Sequence, residues 1–155
     1  MGTTITETTA LERHIRETIP LARAIDLRVG EYDGYRLQLS GPLAPNINDK
    51  GCAFGGSITS LLTLAGWGLI NLKLGEAGIS ADVFVQDASV LYLAPVWDEI
   101  LAEAYAPDNV WPEFIAGLRE RGRARITIEA EVTAPDGAGV AVRQTARFVA
   151  KVAND

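Results

Sequence analysis

The sequence predicts an α+β domain in which one antiparallel sheet wraps around a single long central helix. Three observations carry this reading. The stretch from Gly51 to Leu72 contains no charged residue, and a helix that is apolar all round has to be buried. The segments on either side alternate apolar and polar residues, as half-buried strands do. Turn formers punctuate the chain without any linker or internal repeat, so residues 1–155 read as one domain. A sheet curled round the helix would cover most of its sides.

The elements follow in order. Thr9 and Glu12 form a capping-box pattern, and Leu11, Ile15 and Ile19 lie at helical spacing, which predicts a helix from Ala10 to Thr18 that stops before Pro20. His14 on this helix is read as solvent-side or partly packed. Ile25, Leu27 and Val29 then alternate with Asp26 and Arg28, and the alternation resumes at Tyr35, Leu37 and Leu39. Asp33-Gly34 between the two runs predicts a two-residue type I′ hairpin. A turn-rich loop, Gly41 to Gly51, feeds the uncharged helix, expected from Gly55 to Leu74. Gly66 and Gly68 lower its helix propensity and imply close approach to a neighbouring surface. Ala81 to Leu93 is apolar on both parities, as in a strand buried on both faces. Glu99 to Tyr105 reads as another strand, and Val110 to Arg121 as a short helix or elaborated loop. Gly122 to Val132 alternates, with Ala124, Ile126, Ile128 and Ala130 inward. Pro135-Asp-Gly137 makes the last turn, and Val142, Ala146, Phe148, Ala150 and Val152 line the final strand.

Composition excludes several function classes. The formal charge of −6 argues against a general nucleic-acid or anionic-membrane surface. Cys52 is the single cysteine and His14 the single histidine, so neither a disulfide nor a zinc site is expected, and no metal is assigned. The first ten residues have neither a basic nor an apolar signal region, so the cytoplasm is the expected compartment. The Gly51–Leu72 run has the length of a membrane span, but its five glycines, Ser57, Thr59, Ser60, Thr63 and Asn71 favour a buried core helix.

The densest cluster of chemistry is Pro45-Asn-Ile-Asn-Asp-Lys-Gly-Cys-Ala-Phe-Gly-Gly-Ser57. Gly55 and Gly56 fall at a helix N-terminus, where free N–H groups and the helix dipole favour developing negative charge. Such a junction suits an oxyanion hole for a thioester carbonyl, and equally a plain tight turn. Arg121, Arg123 and Arg125 at period two read as one strand face. That row is either a docking surface for an acidic carrier or phosphate, or a solvated face paired with Glu129 and Glu131.

The stretch Pro42 to Ser57, together with Leu64-Ala-Gly-Trp-Gly68, Tyr92-Leu-Ala-Pro-Val96 and Arg121-Gly-Arg-Ala-Arg125, resembles the YiiD C-terminal family of thioesterase-like proteins with the hotdog fold, from about Leu11 to Ala150. In that fold the sheet is the bun and the central helix the filling. In enterobacteria the family domain is joined to an acetyltransferase domain, so this chain looks like the stand-alone form. The resemblance implies decarboxylation of malonyl-acyl-carrier protein to the acetyl form in fatty-acid initiation, with a loop asparagine as key residue. The matching residue is Asn48. It further implies no cofactor beyond the phosphopantetheine of an acyl carrier protein or CoA, and a homodimer or dimer of dimers.

Phe54-Gly-Gly56 is similar to the His-Gly-Gly junction of hotdog acyl-CoA thioesterases with Phe in place of His. Their helix carboxylate aligns with Thr63, and no Asp or Glu occurs between Asp49 and Glu76. Hydrolysis needs a carboxylate nucleophile or a base, whereas loss of CO2 from a malonyl thioester needs donors on the thioester oxygen. Asn48, Gly55 and Gly56 are therefore the expected catalytic donors. Asn46, Asp49, Phe54, Ser57, Thr63, Asp87 and Tyr92 are the expected substrate-binding residues, with Trp67 beside Phe54 as an aromatic flank. Asp49 and Asp87 remain open as inward-pointing bases, Asp49 alternatively as a cap or solvated residue. Acyl-thioester hydrolysis and a non-catalytic thioester sensor stay open as alternatives.

Overall fold

A computed structural model describes residues 4–134, 137 and 139–153. Helix α1 (Thr8–Thr18) and the short α2 (Pro20–Ala24) lead into the hairpin β1 (Arg28–Tyr32) and β2 (Arg36–Gly41). A single helical turn, Ala44–Asn46, precedes the central helix α3 (Gly55–Glu76). Then follow β3 (Ala81–Tyr92), β4 (Ile100–Tyr105), α4 (Val110–Arg121), β5 (Arg123–Thr133) and β6 (Val140–Val152). The strands form one six-stranded sheet in the order β1-β2-β4-β5-β6-β3, antiparallel throughout. This is the α+β hotdog architecture. Helix α3 lies against β2, β3, β4, β5 and β6 and is the core: Leu61, Leu62, Ala65, Leu69, Ile70 and Leu72 have no exposed surface. Its length and apolarity would permit a membrane span, but the curled sheet covers it.

The glycines of α3 explain how close the sheet comes. A Cβ on Gly66 would stand 2.9 Å from the Phe148 ring, and one on Gly68 would stand 2.9 Å from Leu37. The helix rests on the sheet there with only hydrogen between.

Several local expectations are corrected. Helix α1 starts at Thr8 without a side-chain cap. Glu12 reaches across to accept the Val29 N–H at 2.9 Å instead of closing a capping box. Pro20 opens α2 as its first residue, where its missing N–H costs nothing, so the hairpin begins at Arg28, not Ile25. The turn is not type I′, because only Gly34 of the pair has positive φ. Asp33 Oδ1 instead accepts the N–H groups of Tyr35 and Arg36 at 2.8 Å each, and those two bonds hold its carboxyl below the usual carboxylate range. Arg121 closes α4 instead of opening β5, and Gly122 follows it in the left-handed conformation. Val110–Arg121 is a true helix. In the expected last turn, Pro135 and Asp136 lie outside the described residues.

The largest correction concerns β3. It is an edge strand of the sheet, as β1 is at the other end, and of its residues only Val83 is buried. Apart from Val83 and the half-buried Ala81 and Val90, its apolar residues are uncovered, not sandwiched. A bulge after Val85 also reverses its parity. Val83 and Val85 pair with Ala150 and Phe148 on the helix side, while Asp87 pairs with Arg147 on the outer, convex side.

Candidate active site

The loop before α3 folds as a small hairpin closed by an Ile47–Ala53 bridge. Asn46 anchors it from beneath. At 1% exposure, its Nδ2 donates to the carbonyls of Ile25 at 2.9 Å and Pro42 at 2.7 Å, and its own carbonyl accepts the Phe54 N–H at 2.7 Å. Asn46 is thus closed to substrate, a correction to its expected binding role. A buried amide is needed here because two loop carbonyls point inward with no strand to pair them.

Asn48 sits at the tip of that hairpin and is half-buried. Its Oδ1 accepts the Lys50 N–H at 2.8 Å and the Cys52 N–H at 3.2 Å, and its Nδ2 donates to Cys52 Sγ at 3.2 Å. The carboxamide is therefore locked in one orientation, with the second Nδ2 hydrogen left to offer. Asp49 beside it is exposed and paired with Lys50 at 2.9 Å. That is the solvated reading.

Phe54 ends the hairpin as the N-cap of α3 and supplies no side-chain cap. The first intrahelical bond joins the Ile58 N–H to the Phe54 carbonyl, so the N–H groups of Gly55, Gly56 and Ser57 lack helical partners. They form the positive end of a 22-residue helix. Two rings bracket this end. A Cβ on Gly56 would lie 2.4 Å from the Phe54 ring, and one on Gly55 would lie 3.3 Å from the Tyr92 ring. Both rings are 55% exposed, so they are walls of an open site.

The Tyr92 hydroxyl lies 2.6 Å from Thr59 Oγ1 and donates to the Gly55 carbonyl at 3.2 Å. Thr59 also donates to that carbonyl at 2.9 Å. One turn further along, Thr63 donates to Gln144 Oε1 at 3.4 Å. Gln144 is 1% exposed and stands on the helix side of β6. Gly55, Thr59, Thr63, Tyr92 and Gln144 thus form one polar stripe where α3 meets the uncovered edge. Thr59 and Gln144 were not expected from the sequence. Gln144 had a legible signal, being the polar residue among the inward positions Val142, Ala146, Phe148 and Ala150.

Two further expectations are corrected. Asp87 lies on the convex face, bound to Arg147 at 2.7 and 3.1 Å, because the bulge turned it away from α3. Trp67 lies three turns along α3, stacked on His14 with its Nε1 donating to the Val83 carbonyl. It does not flank Phe54. Arg123 and Arg125 are exposed at the far end of the sheet, where Arg123 pairs with Lys151, whereas Tyr92 pairs with Val142. Nine residues of β6 separate those levels, roughly 30 Å of strand.

A family model described as "Putative thioesterase (yiiD_Cterm)" matches residues 8–152. Among solved structures, a protein of unknown function from Chlorobaculum tepidum is 30% identical with a TM-score of 0.89, covering 94% of both chains. A Shewanella oneidensis protein described as a "putative thioesterase" is 26% identical with a TM-score of 0.83, over 94% of this chain and 97% of its own. A thioesterase from Haemophilus influenzae, 13% identical over 97% and 94% of the two chains, has a TM-score of 0.74 and shares the fold.

Proposed function

The chain belongs to the YiiD C-terminal thioesterase family, and from that premise we propose that it decarboxylates a malonyl thioester carried on acyl carrier protein, leaving the acetyl thioester. The observation that carries this reading is the uncapped N-terminus of α3. Thr59 and Tyr92 stand beside it, and further hydroxyls and carboxamides follow along α3 (Thr63, Gln144) and in the preceding hairpin (Asn48). The two candidate carboxylates, Asp49 and Asp87, are solvated or turned outward.

The reaction asks for what these groups supply. The bond from C2 to the carboxylate breaks, and its electron pair passes into C2 and the thioester carbonyl as CO2 leaves. The N–H groups of Gly55 and Gly56 and the free Nδ2 hydrogen of Asn48 stabilise the oxygen of that enolate. Each such donor is worth about 3 kcal/mol in a water-excluded site. The Thr59–Tyr92 hydroxyl pair delivers the proton that C2 takes, and water replaces it. Phe54 and Tyr92 give the departing carboxylate apolar walls, which favour the neutral product.

Two copies complete the site. The β3 edge presents unpaired backbone groups together with Phe84, Val85, Leu91, Tyr92, Leu93 and Trp97, a surface that natural sheets cover. Antiparallel pairing of two β3 edges forms a homodimer and closes the site against water. The thioesterase descriptions of relatives favour hydrolysis of an acyl thioester as the second reading. CO2 release from malonyl-carrier protein by wild type and by Asn48→Asp separates donor chemistry from the alternative. The proposal expects at least a hundredfold loss in the variant with its fold intact. Unchanged CO2 release by Asn48→Asp removes Asn48 from the mechanism.

A further inference from the structure

We propose that an acidic carrier protein docks on the basic convex end of one copy while its thioester is processed at the Gly55–Gly56 terminus of the other. This rests on the thioester reading and on the β3-paired dimer above. The convex face is segregated by charge. At the end where β5 begins, Arg123, Arg125, Arg147 and Lys151 project together, with Arg121 adjoining from α4. Among the described residues, the carboxylates there are Asp82, opposite Lys151, Asp87, bound to Arg147, Glu120, 3.8 Å from Arg121, and Glu113, which lines a pocket with Arg121 and Arg125. Arg125 spends its Nε on the neutral Gln86 at 3.0 Å. Among the described residues, Arg123, Arg125 and Lys151 make no ion pair. In a chain of net charge −6, this patch is complementary to an acidic protein bearing a phosphorylated arm. At the opposite end the same face carries Glu103, Glu129 and Glu131, with Arg36 and Arg143 between them. That end repels such a partner.

Distance decides which copy is served. A carrier on Arg123 and Arg125, nine and seven residues of β6 from the Tyr92 level, stands roughly 23–30 Å along the sheet from Tyr92 and Gly55 of the same chain. A phosphopantetheine arm spans about 20 Å, the reach of six extended residues, and falls short. When two β3 strands pair antiparallel along their whole length, Tyr92 meets the partner's Ala81. The partner's Arg123 then stands three inter-strand spacings away, about 15 Å. Measured within the sheet, the trans span lies inside the arm's reach and the cis span does not.

The test uses full-length dimers co-expressed with two tags, so that mixed dimers are purified. The substrates are malonyl-carrier protein and malonyl-pantetheine, which lacks the carrier. The paired substitution Arg123→Glu and Arg125→Glu should lower kcat/KM for the carrier substrate at least tenfold more than for malonyl-pantetheine. The other chain is inactivated at its own site by Asn48→Asp or, should that retain turnover, by Gly55→Leu, which projects against Tyr92. Docking in trans predicts that the mixed dimer recovers about half the wild-type rate on the carrier substrate. A mixed dimer no faster than its parents overturns it, as does an arginine variant with equal losses on both substrates. If wild type turns over neither substrate, the thioester reading falls and the docking proposal with it.

Discussion

The two asparagines of the Pro-Asn-Ile-Asn run are predicted to fail in opposite ways. Replacing Asn46 by Ala removes two hydrogen bonds, from Nδ2 to the Ile25 and Pro42 carbonyls. The Ile25 acceptor is left in a buried setting, at a cost of about 1–3 kcal/mol, and the part-buried Pro42 bond adds about 0.5–1.5 kcal/mol. The vacated carboxamide volume costs roughly 1 kcal/mol. Asn46 Oδ1 is itself buried without a partner, and removing it returns about 1 kcal/mol. The sum is a destabilisation of about 1.5–4.5 kcal/mol. For a domain of this size it appears as a fall of roughly 5–15 °C in Tm. Asn48→Ala, at a half-buried hairpin tip, should cost about 1 kcal/mol or less while lowering turnover about a hundredfold. Thermal unfolding followed by circular dichroism, alongside CO2 release from malonyl-carrier protein, reads both. If Asn46→Ala melts within about 2 °C of wild type, or Asn48→Ala falls as far as Asn46→Ala, the assignment of anchor and donor is wrong.

Other substitutions test the packing and the rest of the site. Gly66→Ala, which in an open helix would stabilise by about 1 kcal/mol, should here destabilise by about 1 kcal/mol because its Cβ meets the buried Phe148 ring. Denaturant titration checks the sign, and a stabilised variant contradicts the close approach. Gln144→Leu keeps volume and removes the buried amide behind Thr63. Its unfolding free energy should stay within about 1 kcal/mol of wild type while thioester turnover drops at least tenfold. Intact turnover would take Gln144 out of the site. Asp33 carries a lowered pKa from the N–H groups of Arg36 and Tyr35. Its stabilising effect is therefore present above the unfolded carboxylate value near 4 and lost as pH falls through the lower folded value. The Tm difference between wild type and Asp33→Ala should accordingly shrink on acidification from about pH 5 to pH 3, and a constant gap would refute the linkage.

The features legible in the sequence were those set by local pattern. The uncharged run announced α3, the glycine pair announced its N-terminus, and alternation located β1, β2, β5 and β6 to within a few residues. What was misjudged depended on partners far along the chain. Ala81 to Leu93 carries the apolar residues of a central strand, but order in the sheet, not composition, makes it an edge, and apolar residues uncovered in one chain look the same as buried ones. One bulged residue at Gln86 then sends Asp87 to the convex face, a parity change that no periodicity reveals. Asn46 and Asn48 are equivalent in sequence. The family resemblance singled out Asn48, and the inward carbonyls of Ile25 and Pro42 identify Asn46 as the anchor. The arginine row was read correctly as exposed, yet its distance from Gly55 follows from the strand register. Arg121 left the row because Gly122 ends a helix there.

The most direct test is intact-mass spectrometry of the carrier after incubation of malonyl-carrier protein with the enzyme. Loss of CO2 at an amide-lined site predicts that the malonyl species is replaced by acetyl-carrier protein, with no free thiol formed at the same rate. Conversion of the malonyl species directly to the free carrier thiol would contradict the account and establish hydrolysis in its place.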